Sequence, residues 1–466
     1  MPSLPSAPYK GLHATGERKT MNTSEFTNGV LLIYNHPLWS NAPTILEHVN
    51  AFAAHSQFNV WTVNTEGGFP PALRSLRFRV ILLHYSLFGY WPNLQLSDSF
   101  LRYLSECGRS YKIAFFQDEY QFCQQRFGFV NRYGIDSVYT LVEPELFDAV
   151  YGRYTGVQSL IYTIPGYVSD DLVERGRKLG KPDEVRRIDI GYRGRRLDYS
   201  MGRGAQEKSE IAHLFLERSR GLDLRLDIGM EESERIYGEG WYEFLADCKG
   251  VLGVEAGVSI FDLEDRVRIG CEQMLSENPG LSFDAVSRKL LRHWEGNIYY
   301  RTISPRHFEA AALGVCQILF EGRYSGILKP MEHYIPLKKD FSNFDDVIRL
   351  FRDESVRKRL TDNAYRDLIA SGAYSYKHFV EGFDRHLLDS GICPPISPAE
   401  TQWVSKALAR GRIRFALRAF LRALRYYPYP GKAFITKPIK PLVRKYRDLR
   451  QNGHREAFTR QTGGKR

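Results

Sequence analysis

The sequence contains no long hydrophobic run and no paired cysteines. No apolar stretch in its 466 residues reaches the roughly 20 residues that a membrane-spanning helix needs. The first 28 residues are polar and lack the apolar core of a secretory signal. The six cysteines are scattered and form neither a C-x-x-C pair nor a metal-ligand spacing. We therefore expect free thiols and a cytoplasmic protein, with room for a peripheral position on the inner face of a membrane.

Acidic residues are nearly absent from the C-terminal part of the chain. Residues 401–466 hold 18 Lys+Arg and two Asp+Glu, whereas the rest of the chain is mildly acidic. The formal net charge of +11 therefore comes from this tail. It predicts an anionic partner for the tail and says little about the globular part.

A cationic amphipathic helix is predicted in this basic tail. Apolar residues share one helical face, and arginines run alongside them: Ile413, Leu417, Phe420, Leu421 and Leu424, with Arg410, Arg414, Arg418, Arg422 and Arg425. Such a helix suits an anionic membrane surface, and we assign that role to residues 404–450. Two alternatives stay open, namely a helix packed on the globular body and a nucleic-acid-binding segment.

Before the tail, short apolar runs alternate with helical stretches. Gly29–Tyr34 is a continuous apolar run, typical of a parallel strand covered on both faces. The helical stretch Thr44–His55 and the strand Val80–His84 follow it, and the same alternation resumes at Ile188. This pattern predicts an α/β fold built from two sets of βαβ units. The expected order is a disordered N-terminus at 1–28, a first unit at 29–168, a linker at 169–187, a second unit at 188–390 and the tail at 391–466.

Polar residues follow strands of the first unit where a ligand is expected. His84 ends the run Val-Ile-Leu-Leu-His, and Asp118 and Glu119 follow Ile-Ala-Phe-Phe-Gln. In open α/β sheets, ligands bind beyond the carboxyl ends of the strands. These three side chains therefore predict a functional cleft, and they are the candidate catalytic bases.

One helix-to-strand element of the second unit has the pattern of an anion site. Ser304 is a good N-cap, Pro305 suits the first helical position, and a strand follows the helix. The free N–H groups at the helix start predict a phosphate site, to which Arg306 and His307 add positive charge. Glu309, one turn further on, is placed to hold a ribose diol. An ordinary capped helix with a solvated glutamate would show the same pattern.

The element Ser304–Gly314 resembles the signature of glycosyltransferases with the two-Rossmann GT-B architecture, and it is most similar to the family 4 and CgeB-like groups. Gly191-Tyr-Arg-Gly-Arg-Arg196 and Phe115-Phe-Gln-Asp-Glu-Tyr120 are similar to parts of the same families. The resemblance implies two Rossmann-like domains facing a cleft. It also implies a UDP- or GDP-sugar bound by the second domain and a glycan, lipid-linked or other acceptor.

The resemblance assigns donor-site roles residue by residue. Glu309 matches the glutamate that holds the donor ribose. Arg193 and Arg195 fall where a glycine-rich loop and a basic residue approach the diphosphate, and Lys208 is a second cation in the next helix. Family 4 enzymes usually carry another glutamate eight residues before the ribose-binding one, and we place Thr302 at that position. The identity of the sugar and the catalytic competence of the site stay open.

No Asp-x-Asp triad of the metal-dependent kind stands near a strand end. We therefore predict no metal, and no cofactor besides the nucleotide sugar as co-substrate, because fixed cations can stabilise the leaving diphosphate. The resemblance favours retention, whereas inversion would need one of the three bases. The prediction is a hexosyltransferase of glycan biosynthesis. The alternatives are a sugar-nucleotide epimerase and a non-catalytic scaffold whose tail binds membrane or nucleic acid.

Overall fold

The computed structural model describes residues 9–10, 27–37, 43–89, 93–393 and 404–408. These residues form two separate, mainly parallel sheets with helices around them. No helix in these ranges is long and apolar enough to cross a bilayer. The predicted α/β class with two Rossmann-like sheets is confirmed.

The first sheet has seven strands in the order β1-β7-β6-β5-β4-β2-β3. All neighbours are parallel except the edge pair β1 and β7. Its central strands β2 and β4 carry continuous apolar runs, Val30–Ile33 and Val80–Leu83, as expected for strands covered on both faces. The strands are β1 Tyr9–Lys10, β2 Thr27–Tyr34, β3 Val60–Asn64, β4 Phe78–Leu83, β5 Tyr111–Phe115, β6 Ser137–Thr140 and β7 Ser159–Tyr162; the helices between them are α1 Pro43–His55, α2 Asp98–Glu106 and α3 Cys123–Tyr133.

The second sheet has five parallel strands in the order β14-β13-β10-β8-β9, and a separate antiparallel pair joins β11 to β12. The strands are β8 Ile188–Arg193, β9 Leu226–Gly229, β10 Cys248–Gly253, β11 Ala256–Val258, β12 Tyr300–Thr302, β13 Cys316–Phe320 and β14 Ile335–Leu337. The helices are α4 Asp170–Leu179, α5 Arg203–Arg218, α6 Glu239–Asp247, α7 Arg266–Glu277, α8 Phe283–Val286, α9 Pro305–Ala312, α10 Phe344–Arg352, α11 Glu354–Ala364 and α12 Tyr376–Asp389.

Helix α12 packs against the first sheet. Phe379, Val380 and Phe383 lie in one apolar cluster with strand and helix residues of the first sheet. Asp384 adds polar contacts, because it accepts hydrogen bonds from Ser56 Oγ at 2.6 Å and from a backbone N–H at 2.7 Å. The segment 376–389, which we assigned to the second unit, therefore stabilises the first.

The start of the predicted tail also lies on the first sheet. Residues 404–408 are helical, Val404 is fully buried in the first-sheet core, and Ser405 accepts a hydrogen bond from Trp61 Nε1 at 3.2 Å. The rest of the predicted membrane-binding segment 404–450, and most of the N-terminus 1–28, lie outside the described residues.

The packing of α12 predicts a large effect of Phe383→Ala on the stability of the whole chain. Phe383 is 1% exposed, so its truncation leaves a cavity and should lower the free energy of unfolding by about 3–5 kcal/mol. Lys377→Ala on the same helix is the control, because Lys377 is exposed and should cost less than about 0.5 kcal/mol. Denaturant unfolding followed by circular dichroism measures both, and equal midpoints for the two variants would contradict this packing.

Candidate functional site

Helix α9 begins and ends where its sequence predicts. Ser304 Oγ accepts a hydrogen bond from the backbone N–H of Arg306 at 3.4 Å, and Pro305 occupies the first helical position. Gly314 has φ +62°, a left-handed conformation that glycine adopts without strain, and β13 follows it directly. The apolar face of the helix, including Phe308, is buried. Arg306 and Glu309 are therefore left on its open side.

Glu309 is half-buried, and one of its carboxylate oxygens is held in place. Trp241 Nε1 donates a hydrogen bond to Glu309 Oε2 at 2.7 Å. The Arg306 guanidinium lies 4.7 Å from the Trp241 ring and donates to the backbone carbonyl of Arg193. Burial raises the pKa of Glu309, and the Trp241 hydrogen bond and Arg306 partly offset this. Glu309 Oε1 accepts no hydrogen bond from the described residues, so it can receive one from a ligand.

The Glu309 carboxylate lies at the boundary between the two sheets. Glu47, on α1 of the first sheet, is close enough to feel its charge. Burial raises the pKa of Glu47 to about 7, and the Glu309 charge adds to this shift. Arg175 and Asp171 of α4 are also within electrostatic range of Glu47. The carboxyl groups of Glu47 and Glu309, one from each half of the chain, are thus within electrostatic range of each other.

Three of the predicted donor-site cations come together beside α9. Lys208 on α5 is half-buried, and burial lowers its pKa to about 8. Asp118 is the nearby charge that favours the protonated amine, whereas Arg195 and Arg306 disfavour it. These cations repel one another, and an anion bound among them would reduce that repulsion. A diphosphate has the charge and the oxygen acceptors for this place.

Asp118 lies on the first-sheet side of the cleft, opposite Lys208. The residue as a whole is accessible to solvent, and its backbone has φ +54°, an unfavourable conformation for most non-glycine residues. The Arg126 guanidinium supports that conformation by donating to the Asp118 carbonyl at 3.2 Å. The surrounding protein desolvates the carboxyl and raises its pKa, and Lys208, Arg126 and Arg195 act in the opposite sense. Of the three predicted bases, Asp118 is the one that reaches the cleft.

His84 and Glu119 are buried in the first-sheet core. His84 is 0% exposed, and its ring nitrogens are 3.0 Å from His48 Nδ1 and 2.9 Å from Ser86 Oγ. Burial holds its pKa well below the ordinary value, so it stays neutral. Glu119 is 1% exposed and accepts hydrogen bonds from Thr140 Oγ1 at 2.6 Å, from a backbone N–H at 2.9 Å and from the Tyr151 hydroxyl. Both side chains are already engaged within the protein.

The side chains of Arg193 and His307 are also engaged within the protein. Arg193 pairs with Asp227 Oδ1 at 2.7 Å, donates to three backbone carbonyls and stacks 4.5 Å from the Phe244 ring. His307 is 4% exposed, its Nδ1 lies 2.8 Å from Gln317 Oε1, and burial lowers its pKa to about 4. Arg193 therefore stabilises the edge of the second sheet. His307 is neutral and lies on the buried face of α9, against Gln317 of β13.

The residue eight positions before Glu309 is Arg301, so our placement of Thr302 there is wrong by one position. Arg301 is buried and pairs with Glu207 at 2.5 Å. Glu255, whose carboxylate is 3.9 Å from Arg301, is also buried and accepts hydrogen bonds from the Tyr299 hydroxyl and two backbone N–H groups. Family 4 enzymes have an additional glutamate at the position of Arg301. The nearby carboxylate of Glu255 does not replace it, because that carboxylate is buried and already accepts hydrogen bonds within the protein.

Sequence reasoning missed Glu47 and Trp241. Glu47 is an isolated acid in the first helix after β2, a helix whose start lies at the carboxyl edge of the sheet. Its position near the carboxyl edge of the sheet, where ligands usually bind, could have identified it as a candidate. Trp241 stands in the first turn of α6, next to Glu309 in space but 68 residues from it in the chain. No local pattern connects these two residues.

Two further features lie apart from this cleft. A groove of about 520 Å³ on α5 is lined by residues such as Tyr199, Arg203 and Phe283, and it includes neither Lys208 nor Glu309. Among the described residues, Glu332, His333 and Asp367 bring potential metal ligands within 4.8 Å of one another. There, Lys329 pairs with Glu332 and Arg366 pairs with Asp367, so both carboxylates already have cationic partners.

No protein-family model matches this sequence, and no curated protein matches it significantly. Solved structures align with it at low identity. TarM aligns at 11% identity over 65% of this chain and 53% of its own, with a TM-score of 0.35. An alpha-glucosyltransferase in complex with UDP and a 13-mer DNA aligns at 10% identity over 77% and 99%, with a TM-score of 0.43. Sucrose-phosphate synthase from Thermosynechococcus elongatus aligns at 11% identity over 78% and 100%, with a TM-score of 0.42.

This chain thus spans about half the length of TarM (53%) and all of the synthase. At these TM-scores the likenesses carry no statement about donor or acceptor. The fold class rests on the two sheets and their topology, and the chemistry rests on the residues of the cleft.

The burial of Glu119 predicts that Glu119→Gln lowers the free energy of unfolding, measured by denaturant unfolding. Donors surround the carboxylate, so an amide would place its own N–H groups against them, at a cost of about 1–3 kcal/mol in the free energy of unfolding. Glu106→Gln in an exposed ion pair is the control, expected to cost less than about 1 kcal/mol. A Glu119→Gln protein that unfolds at the same denaturant concentration as the wild type would contradict this structural role.

Proposed function

We propose that the protein is a glycosyltransferase that moves a sugar from a UDP- or GDP-sugar to a hydroxyl acceptor bound in the cleft. One observation carries the proposal. The Glu309 carboxylate and the cations Lys208, Arg195 and Arg306 lie at one edge of the second sheet, facing the first sheet.

The nucleoside diphosphate fits this edge in one orientation. The diphosphate lies beside the N-terminus of α9, where the helix dipole and the Arg306 guanidinium attract anions. The expected free N–H groups are not part of this site, because Pro305 has none and those of Arg306 and His307 bond to Ser304.

The ribose lies one turn further along, where Glu309 Oε1 can accept from its hydroxyls while Trp241 holds Oε2. This orientation directs the sugar toward Lys208 and Asp118.

Charge builds on the diphosphate as the bond to the sugar breaks. Lys208, Arg195 and Arg306 are already assembled around that place, so they can stabilise the charge without rearrangement. A bound anion also favours the protonated form of Lys208, whose pKa of about 8 in the free protein keeps it largely cationic at neutral pH. We therefore propose transfer without a required metal.

Asp118 is proposed to hold the acceptor hydroxyl. Among the three predicted bases, Asp118 is the one on the open first-sheet side, where its carboxylate can accept a hydrogen bond from that hydroxyl and orient it. In an inverting reaction the same carboxylate would also take the proton. The resemblance favours a retaining outcome and a glycan or lipid-linked acceptor. We also propose that the basic tail brings the protein to an anionic membrane surface.

The ribose role predicts that Glu309→Gln lowers nucleotide affinity. Loss of a charged hydrogen-bond acceptor should cost on the order of 1.5–3 kcal/mol in binding free energy, measured by calorimetry with UDP and GDP. Glu217→Gln, at an exposed position of α5, is the matched control and should bind like the wild type. Unchanged affinity of the Glu309 variant would remove the ribose role.

The role of Asp118 predicts that Asp118→Asn separates binding from transfer. Asparagine tolerates the left-handed backbone of this position, so the fold should be preserved. The affinity for the nucleotide sugar should stay the same or rise slightly, because the substitution removes a negative charge from the cleft. The rate of hydrolysis of UDP-glucose or GDP-mannose should fall about 100-fold or more. Equal turnover in variant and wild type would exclude Asp118 from the chemistry.

A further inference from the structure

Residues 116–122 join β5 to α3 and form the Asp118 loop, which contains two left-handed residues that are not glycine. Asp118 and Phe122 both have φ +54°. A non-glycine residue is less stable in this conformation than in an extended or helical one, so it persists only where the surrounding contacts fix it. The contacts of the Asp118 loop therefore determine where the Asp118 carboxyl is placed.

The start of α7, in the second half of the chain, holds the Asp118 loop by its backbone. The N–H group of Phe122 donates to Asp265 Oδ1 at 2.7 Å, and these two residues are 143 positions apart in the sequence. The N–H group of Asp262 donates to the Tyr120 carbonyl at 2.8 Å. Two hydrogen bonds thus connect backbone atoms of this loop to one short segment of the second half.

Asp265 is buried where it meets the loop. It is 6% exposed and has φ +60°, a left-handed conformation that aspartate tolerates better than most residues. Three positions further along, the Arg268 guanidinium lies 4.4 Å from the Phe122 ring. Phe122 is therefore held twice from the start of α7, through its N–H group and through its ring.

A second contact connects the Asp118 loop to the segment that leads into α5, the helix that carries Lys208. The side-chain amide of Gln121 donates to Ser200 Oγ at 3.1 Å, and α5 begins three residues after Ser200. The position of Asp118 relative to Lys208 is therefore set by contacts that the loop makes with the second half of the chain.

We propose that Asp265 is a positioning residue for sugar transfer, because its carboxylate holds the Asp118 loop in the conformation that presents Asp118 to the acceptor hydroxyl. The inference rests on the proposed function, since it assumes that Asp118 orients that hydroxyl. Asp265 contacts neither donor nor acceptor in the proposed arrangement. Its loss should therefore slow the reaction and leave the affinity for the nucleotide sugar unchanged.

Two substitutions of Asp265 separate its hydrogen bond from its backbone conformation. Asp265→Gly removes the carboxylate, and glycine adopts φ +60° without strain. Asp265→Asn keeps an oxygen that can accept from the Phe122 N–H group, and asparagine also tolerates the left-handed backbone. The neighbouring Gln125 amide can turn to accept from the new N–H group. Glu264→Gln, at the exposed position next to Asp265, is the control.

Hydrolysis of UDP-glucose and of GDP-mannose by the full-length protein, with calorimetry of both ligands, tests the inference. Asp265→Gly should hydrolyse the donor about 10-fold or more slowly than the wild type and bind it equally well. Asp265→Asn should retain most of the rate, and Glu264→Gln should behave like the wild type. A protein with both Asp118→Asn and Asp265→Gly should hydrolyse the donor as slowly as Asp118→Asn alone, because Asp265 acts through Asp118.

The outcomes separate this inference from the proposed function. If Asp265→Gly hydrolyses the donor at the wild-type rate, or if its effect adds in full to that of Asp118→Asn, the positioning role is overturned and the proposed function stands. An Asp265→Gly protein that has also lost nucleotide binding would show a general structural role and would overturn the inference as well. If the wild type hydrolyses neither donor, the proposed function fails and the inference fails with it.

Discussion

The cleft depends on contacts that cross from one sheet to the other. Tyr300 of β12, in the second half of the chain, is buried in the first-sheet core. Its hydroxyl donates a hydrogen bond to Glu119 Oε1 at 3.3 Å. Nearby, the backbone N–H of Phe122 donates to Asp265 at 2.7 Å. With α12 packed on the first sheet as well, the chain returns to that sheet twice after leaving it. These crossings fix the distance between the two walls, and so they decide which side chains can meet.

This constraint explains the division of roles among the acidic residues. Glu119 lies on the core side of the crossing contacts, where hydroxyl and backbone donors consume its carboxylate. The adjacent Asp118 lies on the open side, with a left-handed backbone and within electrostatic range of Lys208. One residue of difference along the chain thus separates a structural acid from a candidate functional one. Strain at a cleft residue is a recurring sign of function.

The strands and caps could be predicted from sequence because their signals are local. The apolar run at β2 marked a doubly covered parallel strand, and Ser304, Pro305 and Gly314 marked both ends of α9. The site was only partly predictable, because its contacts join distant segments. Lys208 lies within electrostatic range of Arg195 and Arg306, which the resemblance assigned to the same place, but Arg193 pairs with Asp227 on the neighbouring strand β9. The placement of Glu47 and Trp241 beside Glu309 depends on tertiary packing, which no periodicity records.

The central claim is that Glu309 binds the ribose of a nucleotide within the cleft. A crystal structure of the protein with UDP or GDP tests it most directly. The account predicts ribose hydroxyls within hydrogen-bond distance of Glu309 Oε1 and the diphosphate at the start of α9 among Lys208, Arg195 and Arg306. A nucleotide bound elsewhere, such as in the groove beside Tyr199 and Phe283, or a Glu309 side chain turned to bulk solvent, would contradict it.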